Sequence, residues 1–574
     1  MPFDYSRLPH EYPRRFVPPK LDFDWENLRR LYDQLQSRKI SSVEDLKGWL
    51  ADESELNDVI YEEKSLRYVR YTSQTDNPDY EKAYLNFVEE LEPNIKLRTF
   101  ELEKMYVSTP FRKELPRDYY FVLNRKWENS VALFRDQNVE LEKKDAEQAQ
   151  RYQKIAGAMT VNYKGEERTM QQMNRFLEET DRRVRKEAWD LSEQRRLMEK
   201  NRLNRIYDTM VKDRQKIAKN AGFDNFRNYS FRKKERFDYS PQDCFRFHDA
   251  VEKYFVPLSR DIDRERQEKL GVDPLGPWDL DVDPHGRSPL RPFKSSTELV
   301  QGCARIFERV DPPLAKDFAR MAELDLLDLE SRKGKAPGGY QEDFTDVRLP
   351  FIFMNAVGMD TNVRTLLHES GHSFHTFQMR DQGLPFAYSG QNLPTEFAEV
   401  ASTSMELIGG EHLEGTFYNK EDAKRSNRLE MEEMVKLFGW VATIDVFQHW
   451  VYTHPEHTHE ELEDEWVKIY ARFSGLESWE GYETQLRNRW QRQLHLFEVP
   501  FYYIEYGIAT LGALGVWVRY RKEPREAITA YKNALSLGGS KPLPGLFEAA
   551  GLTWDFGPTT VEKYADELRS AIAV

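Results

Sequence analysis

Along much of the chain, apolar residues recur every three or four positions among charged ones, the period of a helix that buries one face. From about residue 22 to 270 this pattern dominates, as at Met170, Met173, Phe176, Leu177 and Val184. It predicts a mostly α-helical protein. Thr169 followed by Gln172 predicts a capping box opening that helix, and the Asn-Tyr-Lys-Gly run at 162–165 predicts a tight turn between two short strands.

Two stretches break the helical period. Five prolines fall within 274–292, which forbids a long helix and marks an extended segment, with helix resuming near Ser296. After the GKAPGG run at 334–339, the segment 347–355 (VRLPFIFMN) is rich in aromatic and β-branched residues and predicts a strand. Pro350 points to a sheet edge, to which a peptide could add as a further strand; an internal strand is the alternative. The most apolar stretch near the C-terminus, 506–518, is bounded by Glu505 and Arg519. That is too short to cross a bilayer and reads as a buried helix.

Length changes the picture from one core to several. A chain of 574 residues exceeds the size at which a single core stops growing, so two or more subdomains with a crevice between them are expected. Hydrophobic residues at 39% and aromatic residues at 13% exclude a disordered solvating chain. Lys and Arg number 84 against 98 Asp and Glu, a net charge of −14 spread along the chain, which argues against a nucleic-acid partner. Cys244 and Cys303 are the two cysteines, without the spacing of a CxxC site, and suit a reducing compartment. The N-terminal MPFDYSRLPHEYPRRF has charges and prolines where a secretory signal needs an apolar run, so a cytoplasmic protein without a membrane partner is expected.

Candidate chemistry centres on 365–376, TLLHESGHSFHT, which contains His-Glu-x-x-His. On a helix, His368 and His372 lie one turn apart on one face, so both imidazoles can reach one tetrahedral Zn²⁺ at about 2.0–2.1 Å. Glu369 beside them can then act on water. Chance alone produces the pattern on the order of a few times in a hundred such chains. Its surroundings strengthen it, because Leu366 and Leu367 bury the helix start while Ser370 and Gly371 permit close approach of another backbone. A third ligand is needed. The metzincin spacing requires glycine at 375 and histidine at 378, where this chain has His375 and Gln378. A carboxylate from 394–407 (PTEFAEVASTSMEL) fits better, and the residues alone leave Glu396, Glu399 and Glu406 open.

The His368 helix, the GLPFAYSGQNLPTEFAEVAS segment after it and the distal HLFEVPFYYIEYG run resemble the thimet oligopeptidase and oligoendopeptidase F family of zinc peptidases, closest to the oligoendopeptidase F branch. The resemblance covers roughly residues 200–574. It implies one Zn²⁺ per chain held by His368, His372 and Glu399, with Glu369 as general base. Glu406 is then a candidate to orient a ligating histidine. His375 matches a non-ligand histidine of the family and reads as a packed helix residue. His495, Tyr502 and Tyr506 are seven and then four residues apart and would share one side of a helix, although Pro500 interrupts the register. The family places a substrate-contacting histidine and tyrosines there, as donors to an oxyanion. Phe501 and Tyr503 read as core packing. Thimet-like members carry a further tyrosine where this chain has Ala509 or Thr510, so the division of roles among Tyr502, Tyr503 and Tyr506 stays open.

His454, His457 and His459 form a second histidine run, but Thr458 with Glu461 reads as a capping box and the histidines as solvent-exposed. The combined expectation is a mostly α protein whose two helical subdomains enclose a deep substrate channel, with a small β-sheet near the HExxH helix. The expected division is an N-terminal helical domain over 1–200 and a catalytic zinc-peptidase domain over 201–574, with a boundary near 190–210. The resemblance implies endopeptidase action on short oligopeptides. A zinc carboxypeptidase or dipeptidase, or a peptide-binding protein without catalysis, are the competing readings, and the sequence leaves the oligomeric state open.

Overall fold

A computed structural model describes residues 4–573. Helices dominate, and the strands among the described residues form two small sheets. β1 (Thr160–Tyr163) and β2 (Glu166–Thr169) make the expected antiparallel hairpin. Its two turn residues, Lys164 and Gly165, have φ of 53° and 81°, the left-handed pair that a two-residue hairpin turn requires.

The second sheet comprises β3 (Leu327–Glu330), β4 (Tyr340–Phe344) and β5 (Leu349–Ala356) in the order β3-β5-β4, with β3 parallel and β4 antiparallel to β5. The strand expected at an edge is therefore central, and it offers no free side to a peptide. Its near-continuous apolar run is the reason: Phe351, Ile352, Phe353 and Met354 are all buried, as suits a strand covered on both faces. Pro350 is tolerated because β3 pairs with β5 only from Ile352 onward, while Pro350 faces Asp343 on β4.

Two compact units divide the chain. One comprises the residues up to Ala132 with Leu290–Asn427 and Ala509–Trp554; the other comprises Leu133–Pro289, Arg428–Ile508 and the residues from Asp555. This differs from a single division near residue 200, because long-range pairing overrides sequence neighbourhood. In the first unit, the helix Val43–Ser73 is tied to the second sheet: Tyr61 and Ser65 hydroxyls donate to Glu342 on β4 at 2.9 and 2.7 Å, and Ser73 donates to Asp328 on β3 at 2.9 Å.

In the second unit, Thr169 and Gln172 form the expected capping box, but the helix it opens is only Met170–Asn174. A 3-10 turn, Arg175–Glu178, follows, and a separate helix, Arg182–Leu197, starts behind an Asp181 cap. The continuous helix through Val184 is broken because buried Arg185 collects the carbonyls of Glu179 and Thr180 at 2.7 and 3.0 Å and the Asp279 carboxylate at 2.7 Å. Helix resumes at Ser296–Val310, as expected, and 506–518 lies within the helix Ile504–Lys522. Among the described residues no helix is long and apolar enough to cross a membrane.

Candidate active site

His368, Glu369 and His372 sit on the helix Asp360–Met379 of the first unit. Asn362 fixes its start by accepting the backbone N–H groups of Val357 and Met359 at 2.9 and 3.0 Å. Val363, Leu366, Leu367 and Phe374 bury one face. The helix Thr395–Gly410 packs against it, and the two backbones approach closely beside the histidines. A Cβ at Gly371 would stand 2.5 Å from Ser402 Cα and 2.6 Å from the Ala401 carbonyl oxygen. Only glycine fits there. The second helix is fixed in turn by Tyr531, whose hydroxyl donates to the Ala401 carbonyl at 2.8 Å.

This contact brings Glu399 to the imidazoles. Glu399 Oε2 lies 3.3 Å from His368 Nε2 and 3.7 Å from His372 Nε2. The three donors lie within 4.8 Å of one another, a group able to hold a metal ion. Donors about 2.0–2.1 Å from a tetrahedral centre lie roughly 3.3–3.4 Å apart, so the spacing suits such an ion. Ser402 Oγ donates to the same glutamate oxygen at 2.9 Å, which fixes the carboxylate. Glu406, two turns further on, reaches the other face of His368, with Oε2 3.2 Å from Nδ1. The spacing of seven thus places one carboxylate at each ring nitrogen of His368.

Electrostatics separates the roles. Burial alone would lower the His368 pKa, but Glu399 and Glu406 outweigh it and hold the ring well above the usual imidazole range. Burial pushes His372 down to about 4 against the pull of Glu399. Burial also pushes Glu369 up to about 7, offset partly by His368 and reinforced by Glu399. A carboxyl poised near neutral pH can both take and return a proton. His375, one turn beyond His372, is buried beside Phe397, with neither ring nitrogen hydrogen-bonded among the described residues. It stands outside the donor group, as expected of a packed residue.

His495, Tyr502 and Tyr506 come together in the second unit, though not on one helix. His495 lies on the short helix Leu494–Glu498, and Tyr506 on Ile504–Lys522. Between them Phe501 turns the chain with a φ of 62°; its side chain is buried and its N–H donates to Gln448 at 2.6 Å. The ring of His495 lies 5.8 Å from that of Tyr502 and 6.0 Å from that of Tyr506. Phe501 is core, as expected. Tyr503 is not: it is half-buried, and its ring stands 4.8 Å from His495. Two further neighbours were not legible. Gln493 hydrogen-bonds His495 Nδ1, and Lys234 places its ammonium 4.7 Å from the centre of the Tyr502 ring. Burial, with Lys234 adding, lowers His495 to about 4. A glutamine two residues before a histidine is too common a pattern to have been singled out. The 454–459 histidines remain outside any donor group among the described residues, and Thr458 and Glu461 form the expected capping box.

The sequence matches the model of peptidase family M3 over residues 175–556 and that of the peptidase M3 N-terminal domain over residues 21–134. The chain belongs to peptidase family M3. Among its relatives, oligopeptidase PepF of Bacillus subtilis (strain 168) is 26% identical over 253 residues, which cover 42% of this chain and 36% of that protein. Group B oligopeptidase PepB of Streptococcus agalactiae serotype III (strain NEM316) is 25% identical over 398 residues, covering 66% of this chain and 62% of that protein. The matched segments thus span less than two thirds of either relative. The solved structure of PZ peptidase A with inhibitor 2 superposes with a TM-score of 0.86 at 27% identity and covers 98% of both chains. Oligoendopeptidase-F from Enterococcus faecium, at 17% identity and a TM-score of 0.63, covers 96% of this chain and 97% of that one and shares the fold. The shared fold therefore covers 98% of the chain, including the N-terminal helices where motifs were absent.

Proposed function

We propose that this M3 family member is a zinc-dependent metalloendopeptidase that hydrolyses internal bonds of short oligopeptides. The observation that carries the reading is the convergence of His368, His372 and Glu399 on one point, with the buried Glu369 carboxyl beside them on the same helix. These three residues would hold one Zn²⁺ per chain. Bound there, zinc supplies Lewis-acid polarisation of the scissile carbonyl and a more acidic water. Glu369 takes the proton of the attacking water and returns it to the leaving amine nitrogen. Glu406 fixes the ring orientation of His368 through Nδ1. His495, Tyr502 and Tyr506, whose rings cluster in the second unit, are the donors proposed for the negative charge that develops on the carbonyl oxygen. The unpaired cysteines Cys244 and Cys303 are in keeping with a cytoplasmic setting.

Internally quenched peptides with both termini blocked, assayed with wild type and Glu369→Gln, test the reading. Wild type should cleave them, and the variant should lose at least about 10²-fold in kcat while retaining its metal. Failure to cleave blocked peptides, with free-ended ones still cut, would favour a carboxypeptidase or dipeptidase. Binding without turnover in wild type would favour a peptide-binding protein.

A further inference from the structure

A second group of metal-type donors lies in the other unit, built from two helices distant in sequence. Cys244 and His248 are one turn apart on the helix Pro241–Leu270; Asp445 and His449 are one turn apart on the helix Lys420–Thr453. Cys244 and Asp445 have no exposed surface, and His248 and His449 are 1% and 4% exposed. Donor atoms of Cys244, Asp445 and His449 lie within 4.8 Å of one another. Asp445 Oδ2 is 2.9 Å from His248 Nε2 and 3.2 Å from His449 Nε2. The second of these contacts lacks the direction of a hydrogen bond, and both ring nitrogens of His449 and Oδ1 of Asp445 are without a hydrogen-bond partner among the described residues. Such unmet polar atoms are rare in a native interior and call for an explanation.

The surroundings of His449 are mostly aromatic. The rings of Phe245, Phe501 and Phe231 surround His449 at 4.8, 5.3 and 5.9 Å. Two cations lie nearby: Arg236 is paired with Glu505 at 2.9 Å, and Arg227 donates to the Asn228 side chain at 3.2 Å. A catalytic Cys-His pair does not account for the unmet atoms, since no substrate reaches a fully buried thiol. What does satisfy one sulfur, one carboxylate oxygen and an imidazole nitrogen together is a borderline-soft divalent ion of tetrahedral preference.

We propose that Cys244, Asp445 and His449 bind a structural zinc ion distinct from the one proposed at His368, with His248 holding the Asp445 carboxylate from outside the donor group. Binding displaces the Cys244 thiol proton to solvent and leaves a thiolate on the metal. The ion pins the two helices together one residue from Gln448, which accepts the N–H of Phe501 and so fixes the turn that presents Tyr502. Its role is to hold that turn, not to touch substrate.

Cobalt substitution in the full-length protein tests this directly. The His368 site contains no sulfur, so a thiolate-to-cobalt charge-transfer band in the near ultraviolet reports the buried site alone. Wild type should take up two cobalt ions per chain and show the band. Cys303→Ser should keep both, Cys244→Ser should drop to one ion and lose the band, and His372→Ala should keep the band while losing the other ion. That last variant also separates the proposal from the reading of the active site. One cobalt ion per wild-type chain with no band overturns the proposal, as does a band that survives Cys244→Ser.

Discussion

At the scale of single residues, the two nitrogens of His368 are held by different carboxylates, and this makes Glu406 informative. Its oxygen lies 3.2 Å from Nδ1, where it orients the ring and leaves Nε2 facing Glu399. Glu406→Gln keeps the size but not the charge. It should weaken the affinity of the proposed site for a divalent metal about 10–100-fold, read by chelator competition, with the fold unchanged. An affinity equal to wild type would show that the glutamate only fills space. His375 makes the opposite prediction. Because its ring is buried without a hydrogen bond, His375→Leu should leave the metal content unchanged and the melting temperature equal or higher. The His368, His372 and Glu369 positions were legible because helical periodicity turns i and i+4 into neighbours. Glu399 needed the family resemblance, since three carboxylates shared the segment and only tertiary packing picks one. The buried Cys244 group was missed for a related reason. Its two one-turn pairs are about two hundred residues apart, and neither alone is a metal signature.

At the scale of elements, the decisive contact is the crossing of the helices Asp360–Met379 and Thr395–Gly410 at Gly371. Both surfaces there are backbone, so an added methyl cannot be accommodated by turning a side chain. Gly371→Ala should force the helices apart, cost about 1–3 kcal/mol in unfolding free energy and move Glu399 away from the imidazoles. The expected signature is loss of metal together with loss of stability, measured by denaturant titration and metal analysis of one preparation. Stability lost without metal lost would place the strain elsewhere. Sequence pattern supplied the small residue but not what approaches it. The same limit explains the other differences at this scale. Periodicity continued the helix from Met170 past Val184, but a buried arginine two turns later claimed the backbone carbonyls and ended it. Pro350 suggested an edge because proline lacks a donor, yet the neighbouring strand begins beyond it. His495 and Tyr506 meet across a turn at Phe501 instead of along a helix.

At the scale of the whole molecule, each compact unit is assembled from three separate stretches of chain, so the sequence offers no linker at which to divide it. The cohesion of the first unit includes buried acids on the helix Val43–Ser73, and these make its stability depend on pH. Burial pushes Glu53 up to about 8, with Glu103 adding and the Asn57 side chain opposing. Burial pushes Glu62 up to about 7, with Asp346 adding and the Tyr5 hydroxyl and Val347 N–H opposing. Each carboxyl releases its proton near its ordinary value of 4.5 when the chain unfolds. Between that value and the folded one, the folded state binds more protons, so stability is fully present below about pH 4.5 and is lost as pH rises toward 7–8. Glu53→Gln replaces the titrating group by a neutral one of the same shape. Its unfolding free energy should match wild type near about pH 4 and exceed it by on the order of 4 kcal/mol near about pH 8.5. Denaturant midpoints of the two proteins at both pH values decide the matter. A difference that stays constant with pH, or that favours wild type at the alkaline end, would mean that the carboxyl ionises as readily in the folded protein as in the unfolded chain.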